Sequence, residues 1–434
     1  MDIGAVALRR MGGFKSRTVE LFCRARKKLQ KDPLHRLAIF PITNSHLEMI
    51  HALAIFLGCA ATFAQETIVL PRGTGPYSTS LVNEEWVDST RVDPFNTSHV
   101  RRIMVSRFDP VPSSNCRFEK VTYMPPVTAA LEDEILAAYD YPKGILKQFV
   151  LEVCKEEDVT GTKERSEERQ WPLALFSPGL NITRIFSNHF AQEIASHGFT
   201  VITMDHPYDT DIVEFPNGDV VFGGRVVPPA NLTEPSPSLD YGLEVRAQDA
   251  SFVLNRLGVS VDGGEKAVIF GHSFGGAASA TALLQDKRFR AGMNIDGAMF
   301  GPVLNSTLGT RSCPQAFALW GSDGHSSSTD PSWASFWTSL NNSAHVDYKK
   351  EFSVAGSAHG SYWDLNILVD VAGIREELSE TAKLLIGPIA GKRVWEIMGR
   401  YVPAYFWFVL GEKDEDDILR GISGEFPEVR IVQG

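Results

Sequence analysis

The pentapeptide Gly271-His272-Ser273-Phe274-Gly275 is flanked by an apolar run, Ala267 to Phe270, and by a small-residue stretch, Gly276 to Ala282. That order predicts a strand, a tight turn and a helix, with Ser273 at the turn. Glycines two residues to either side suit such a turn, because a Cβ there would collide with the adjoining strand and helix. The Ser273 hydroxyl would then be held up, exposed, as an attacking oxygen. In a chain with 36 glycines among 434 residues the pattern also arises by chance, as a Gly/Ser turn without chemistry. The weight therefore falls on partners downstream.

A serine hydroxyl is a poor nucleophile at neutral pH, so it needs a histidine to take its proton and an acid to orient that histidine. After Ser273 the histidines are His325, His345 and His359. His359, in Gly356-Ser357-Ala358-His359-Gly360, follows the last strand-like run and is the expected base. His325 and His345 read as surface or loop histidines. His272 adjoins the serine but its ring does not easily reach back to it. His197 and His206 precede the serine, and His206 is left as a candidate for the pocket wall. Two aspartates compete as the acid: Asp296, ending the run Ala291 to Ile295, and Asp323, in Trp320-Gly321-Ser322-Asp323. Each sits at the C-terminal edge of a predicted strand, and position alone favours the later one, Asp323. Strand, elbow and helix, with the order serine, acid, histidine, are the signature of an α/β-hydrolase fold.

The elements that must position these residues alternate along the chain. Apolar runs at Leu173 to Phe176, Thr200 to Met204, Ala267 to Phe270, Ala291 to Ile295, Ala316 to Trp320 and Phe352 to Ala355 are interleaved with helices near Ile185 to Ser196 and Leu239 to Leu257. Short apolar strands alternating with helices mean a mostly parallel central sheet covered by helices on both faces. Upstream, turn-rich text at Leu70 to Tyr77, a strand-like run at Arg102 to Phe108 and a helix near Ala129 to Tyr139 predict the sheet's N-terminal edge. The charged stretch Lys155 to Arg169 reads as a solvated loop.

With 43% hydrophobic residues the chain can bury a large core. Its charge is uneven: residues 1–48 carry 10 Lys/Arg against 4 Asp/Glu, and the remainder is acidic, which argues against a nucleic-acid partner. Residues 49–64 include the uncharged apolar run Ile50 to Ala64, too short to span a membrane comfortably and ending in small residues, as a secretory signal does. The expected organisation is a basic extension, 1–48, a signal-like segment, 49–64, and one catalytic domain, 65–434. Secretion is expected, with a signal anchor or a mitochondrial presequence as the rivals. Sequons at Asn96, Asn181, Asn231, Asn305 and Asn341 fit a secreted glycoprotein. Past Gln65 only Cys116, Cys154 and Cys313 remain, so one bridge, Cys116 to Cys154, is expected, with Cys313 buried and free.

From about Leu70 onward the chain resembles the plasma-type platelet-activating-factor acetylhydrolases, particularly their fungal relatives. The resemblance lies in Phe176-Ser177-Pro178-Gly179-Leu180, Ala195-Ser196-His197-Gly198-Phe199, Gly271-His272-Ser273-Phe274-Gly275-Gly276, Asp296-Gly297-Ala298-Met299-Phe300 and Gly356-Ser357-Ala358-His359. It implies that Asp296 is the acid and His359 the base, and that the backbone N–H groups of Leu180 and Phe274 form an oxyanion hole; Asp364, five beyond His359, falls where the family has an acidic residue and reads as structural. Ser-Pro-Gly-Leu replaces the Ser-His-Gly-Leu of mammalian members and is similar to bacterial cutinases. The implied activity is hydrolysis of short or oxidised sn-2 acyl chains on phospholipids through an acyl-enzyme, with no cofactor, metal or obligate protein partner and with peripheral contact to lipid surfaces. A cutinase-like or general carboxylesterase is the alternative within the same chemistry, and a silent binding module the alternative outside it. Pro207 to Ser238 and the run Tyr405-Phe406-Trp407-Phe408 are candidate pocket walls, the latter more readily a packed C-terminal helix.

Overall fold

The structure, a computed structural model, describes residues 67–155, 171–229, 236–260 and 267–434. The basic extension, the signal-like segment, all but the first residue of the charged stretch, and the Asn231 sequon lie outside the described residues.

Fourteen strands are present among them: Ile68–Val69 (β1), Ser78–Val92 (β2), Val100–Val111 (β3), Phe118–Thr122 (β4), Phe149–Cys154 (β5), Leu173–Ser177 (β6), Thr200–Met204 (β7), Ile212–Glu214 (β8), Val220–Phe222 (β9), Ala267–His272 (β10), Phe289–Ile295 (β11), Gln315–Gly321 (β12), Val346–Val354 (β13) and Val429–Gln433 (β14). Twelve form one sheet in the order β1-β5-β2-β3-β7-β6-β10-β11-β12-β13-β14, with β4 also on β5, while β8 and β9 make a separate ribbon. From β7 to β13 the six neighbours run parallel. The long β2–β3 hairpin joins antiparallel at one side, and β14 caps the other. This is the doubly covered, mostly parallel sheet that the alternating apolar runs predict.

Strands β6, β7, β10 and β12 are buried at every position, as a sheet covered on both faces requires. Side chains alternate between two cores. Ala174, Phe176, Val268, Phe270 and Trp320 face the helices Asn188–Ser196 (α2), Asp364–Ala372 (α6) and Gly391–Val409 (α8). Leu173, Leu175, Ile269 and Phe317 face Pro237–Arg256 (α3) and Pro331–Asn342 (α5). The remaining helices are Pro126–Leu136 (α1), Phe274–Gln285 (α4) and Glu380–Ile386 (α7). The aromatic run belongs to α8 and to the first core, not to a pocket: Tyr405 Oη donates to Gly292 O at 3.0 Å, and Phe406 packs edge-on against Phe270, ring centroids 5.2 Å apart.

Cys116 and Cys154 form the expected disulfide, tying the segment before β4 to the end of β5. Cys313 is free but half-buried rather than buried, its Sγ directed at Lys287 O.

Candidate active site

Register, more than any local motif, gathers the site. β6, β10, β11, β12 and β13 are consecutive parallel neighbours, so their C-terminal ends share one edge of the sheet. The segments leaving that edge carry, in spatial order, Leu180, Ser273, Asp296, His325 and His359. The crevice beyond the carboxyl ends of parallel strands is where open α/β sheets place their ligand sites.

Ser273 occupies a backbone conformation ordinary residues avoid, φ 57° and ψ −123°, between β10 and α4. Hydrogen bonds over-determine it: its N–H donates to Ile295 O at 2.8 Å and its carbonyl accepts from Gly276 N at 2.9 Å. The flanking glycines are required by contact. A Cβ on Gly271 would stand 2.3 Å from the Gly275 carbonyl, and one on Gly275 would stand 1.9 Å from Ser177 O. The elbow therefore exists only because both positions lack a side chain.

Asp296 follows β11 with φ 56°, and its N–H is tied to Trp320 O at 2.8 Å. Its Oδ2 accepts from His359 Nδ1 at 2.7 Å. That bond directs the other ring nitrogen, Nε2, away from the acid, which is the tautomer a general base needs. Asp323 does not compete for this histidine. It is exposed, and its Oδ2 accepts from Gly356 N at 2.9 Å, so it braces the loop that carries His359.

His325 departs from the expectation of a surface or loop residue. Its Nδ1 donates to Asp296 Oδ1 at 2.7 Å and its Nε2 to Asp330 Oδ2 at 3.0 Å. Both nitrogens facing carboxylates require the imidazolium. Burial works to lower the His325 pKa, but the charges and hydrogen bonds of Asp296 and Asp330 outweigh it and push it up to about 10. Reciprocally, burial would raise the Asp296 carboxyl, yet the His325 cation and the hydrogen bonds from both histidines hold it well below the usual carboxylate range. The Asp296 carboxylate thus joins two half-buried histidines, His359 through Oδ2 and His325 through Oδ1. The signal for His325 was its place after the strand next to Asp296, not its neighbours in sequence.

His272 supports the same loop. Burial, and then the proximity of His359, depress its pKa well below 6.5, so the ring is neutral. Nε2–H donates to His359 O at 2.9 Å, while Nδ1 accepts from Trp363 Nε1 at 2.7 Å. His345 is half-buried, with no bond to these groups among the described residues. Asp364 is fully buried and accepts from Tyr123 Oη at 2.9 Å and from the N–H groups of His189 and Phe190 at 2.8 and 3.2 Å, pinning the start of α2.

The two backbone N–H groups expected to face an oxyanion lie on either side of the serine. Phe274 is the first residue of α4, where N–H groups have no acceptor inside the helix and the helix dipole is positive. The peptide between Gly179 and Leu180 follows β6, and a Cβ on Gly179 would lie 3.5 Å from Ser273 Cβ. Leu180 and Phe274 also belong to one apolar cluster with Val226, Leu239, Leu243 and Phe300. His206 does not line a pocket. It is completely buried, with Nε2 against Ser177 Oγ at 3.0 Å and Nδ1 on Asp249 Oδ2 at 2.9 Å. Asn181, the sequon next to Leu180, is half-buried with φ 57°, whereas Asn305 and Asn341 are exposed.

Comparison with known proteins gives the family. The family model described as platelet-activating factor acetylhydrolase, isoform II, matches residues 68–214 and 239–380. A probable 1-alkyl-2-acetylglycerophosphocholine esterase of Arthroderma benhamiae is 37% identical over 382 residues, covering 87% of this chain and 97% of its own. The platelet-activating factor acetylhydrolase of Bos taurus is 31% identical over a shorter stretch, 30% of this chain and 36% of its own. Among solved structures, a ferulic acid esterase from Streptomyces cinnamoneus superposes with a TM-score of 0.64 at 22% identity, over 84% of this chain and 99% of its own, a likeness of fold. With a family model spanning most of the chain and a relative similar along nearly its whole length, the protein belongs to the platelet-activating factor acetylhydrolase family and is a carboxylic ester hydrolase with an α/β-hydrolase fold.

Proposed function

We propose that the protein is a serine esterase that removes short or oxidised sn-2 acyl chains from platelet-activating-factor-like phospholipids through an acyl-enzyme. The observation that carries the reading is the 2.7 Å bond from His359 Nδ1 to Asp296 Oδ2, made at the sheet edge where Ser273 stands on its elbow. In the proposed sequence Ser273 Oγ attacks the ester carbonyl and its proton passes to His359 Nε2. The imidazolium, stabilised by Asp296, returns that proton to the departing lysophospholipid oxygen. Water, deprotonated by His359, then attacks the acyl carbon and releases Ser273. Negative charge on the carbonyl oxygen in both steps falls to the N–H groups of Leu180 and Phe274, each such donor lowering the barrier by about 3–4 kcal/mol.

Two phosphatidylcholines test the reading, one with an sn-2 acetyl group and one with two long chains, on the full chain beside Ser273→Ala. Turnover of the acetyl lipid, lost in the variant, is expected. Cleavage of simple aryl esters alone would favour a cutinase-like or general carboxylesterase, and silence on every ester would leave a binding module. Asp296→Asn should cost far more activity than Asp323→Asn, about 10⁴-fold by analogy with orienting aspartates in serine hydrolases. The reverse ranking would move the acid to Asp323.

Secretion is part of the same proposal. A disulfide between Cys116 and Cys154 suits an oxidising compartment, and the exposed Asn305 and Asn341 could carry glycans. The N-terminal sequence and glycan content of protein recovered from culture medium would decide it.

A further inference from the structure

Arg246 is a charged residue on the apolar stripe of α3, spaced with Leu239, Leu243, Ala250 and Val253, all of them buried. Its side chain is wholly buried, and each of its five N–H donors has an acceptor. Nε and Nη2 clasp Asp209 Oδ2 and Oδ1, each at 2.6 Å. The remaining three donors go to the segment that leaves β6: Nη1 to Ser177 Oγ at 3.0 Å and to Pro178 O, and Nη2 to Gly179 O at 3.1 Å. The guanidinium also lies 4.8 Å from the centre of the Phe274 ring.

The bond to Gly179 O bears directly on the reaction. A peptide unit is planar, and in the trans form its C=O and N–H point in opposite directions. Gly179 O and Leu180 N–H are the two ends of one such unit, so fixing the carbonyl fixes the line along which the N–H points. Drawing electron density toward Gly179 O also makes the N–H a stronger donor, as in any polarised hydrogen-bond chain. Ser177 extends the support in one consistent direction. Its Oγ accepts from Arg246 and donates to His206 Nε2, while His206 Nδ1–H donates to Asp249. Burial lowers the pKa of His206, in keeping with a neutral ring that accepts at Nε2.

We propose that Arg246, held by Asp209, is the positioning residue of the oxyanion site, aiming and polarising the Gly179–Leu180 peptide while flanking the residue that carries the second N–H. The inference rests on the reading that Ser273 is the nucleophile and that Leu180 N–H meets the oxyanion.

The test compares the full-length protein with Arg246→Lys, Asp209→Asn and Ser273→Ala on an aryl acetate and on the matching thionoacetate, whose developing sulfur anion is a weaker hydrogen-bond acceptor. Arg246→Lys keeps a cation but has three donors instead of five. It should lower kcat on the acetate by about 10–100-fold, less than outright loss of an oxyanion donor. KM should stay within about threefold, since the contact matters most when the oxyanion forms. The acetate-to-thionoacetate rate ratio should fall by about tenfold, because only the oxygen substrate loses much. If Arg246→Lys does not fold, Asp209→Asn, which keeps one acceptor oxygen, decides; it should cost about fivefold in kcat with the ratio moving the same way. A folded variant with unchanged kcat, or one that loses kcat while the ratio stays at the wild-type value, overturns the proposal. Activity retained by Ser273→Ala would instead overturn the nucleophile assignment, so the two failures are told apart.

Discussion

Replacing His325 by Phe removes one cation from between two carboxylates while keeping a ring against Trp333, with which His325 is in contact at a centroid distance of 4.3 Å. The His325 pKa is pushed up to about 10 from an ordinary 6.5. A group whose folded pKa lies above its unfolded value stabilises fully below the unfolded value and ceases to stabilise as pH rises through the folded one. The window therefore runs from pH 6.5 up to about 10. At about 1.4 kcal/mol per pH unit the coupling is bounded near about 5 kcal/mol, and partial solvent screening reduces the expected value to about 2–3 kcal/mol. The side chain is 21% exposed, which is why the reduction applies. Urea unfolding of both proteins at pH 6, 7.5 and 9 measures the difference, which comprises the His325 charge together with its pull on Asp296 and Asp330, while groups remote from these cancel. The variant should be least stable relative to wild type at pH 6, with the gap narrowing toward pH 9. Parallel stability curves across that range would refute an imidazolium locked between Asp296 and Asp330.

Two further perturbations probe the framework. Gly275→Ala places a Cβ 1.9 Å from Ser177 O and 2.6 Å from Pro178 O, both backbone atoms, so the segment leading to Leu180 must move; activity should fall at least about 100-fold with a stability loss of about 2–4 kcal/mol, read from esterase rate and melting temperature. Cys116→Ala with Cys154→Ala opens a loop with a sequence separation of 38 residues, which by chain entropy should cost about 4 kcal/mol; because the bridge lies among β4 and β5, remote from the elbow, the folded remainder should keep its kcat.

What the sequence revealed and concealed follows from the range of the interactions involved. The strands that carry the site are buried on both faces, so Leu173 to Phe176 and Thr200 to Met204 stand out as apolar runs, and their predicted limits fall within a residue of β6 and β7. β2 did not stand out, because its 15 residues place exposed Asn83 and Glu84 side by side, and Ser89 and Thr90 likewise, with a buried Asp88 between, and so alternate too irregularly to read as sheet. The same contrast separates the site residues. Ser273 is announced by glycines its own turn requires, and His359 by its loop. His325 and Arg246 are each defined by partners far away in sequence: Asp296 lies 29 residues before His325, and Gly179 lies 67 before Arg246. Each nevertheless carried a cue of a different kind. A charged residue on the apolar stripe of α3 must find acceptors inside the protein, since burying an unpaired guanidinium is prohibitive. A histidine after β12 must emerge beside whatever follows β11, because parallel neighbours in register end at the same edge. Groups that perform chemistry are thus written locally, in turns and loops that tolerate few substitutes, whereas groups that aim them are written in the topology, and become legible once strand order is known.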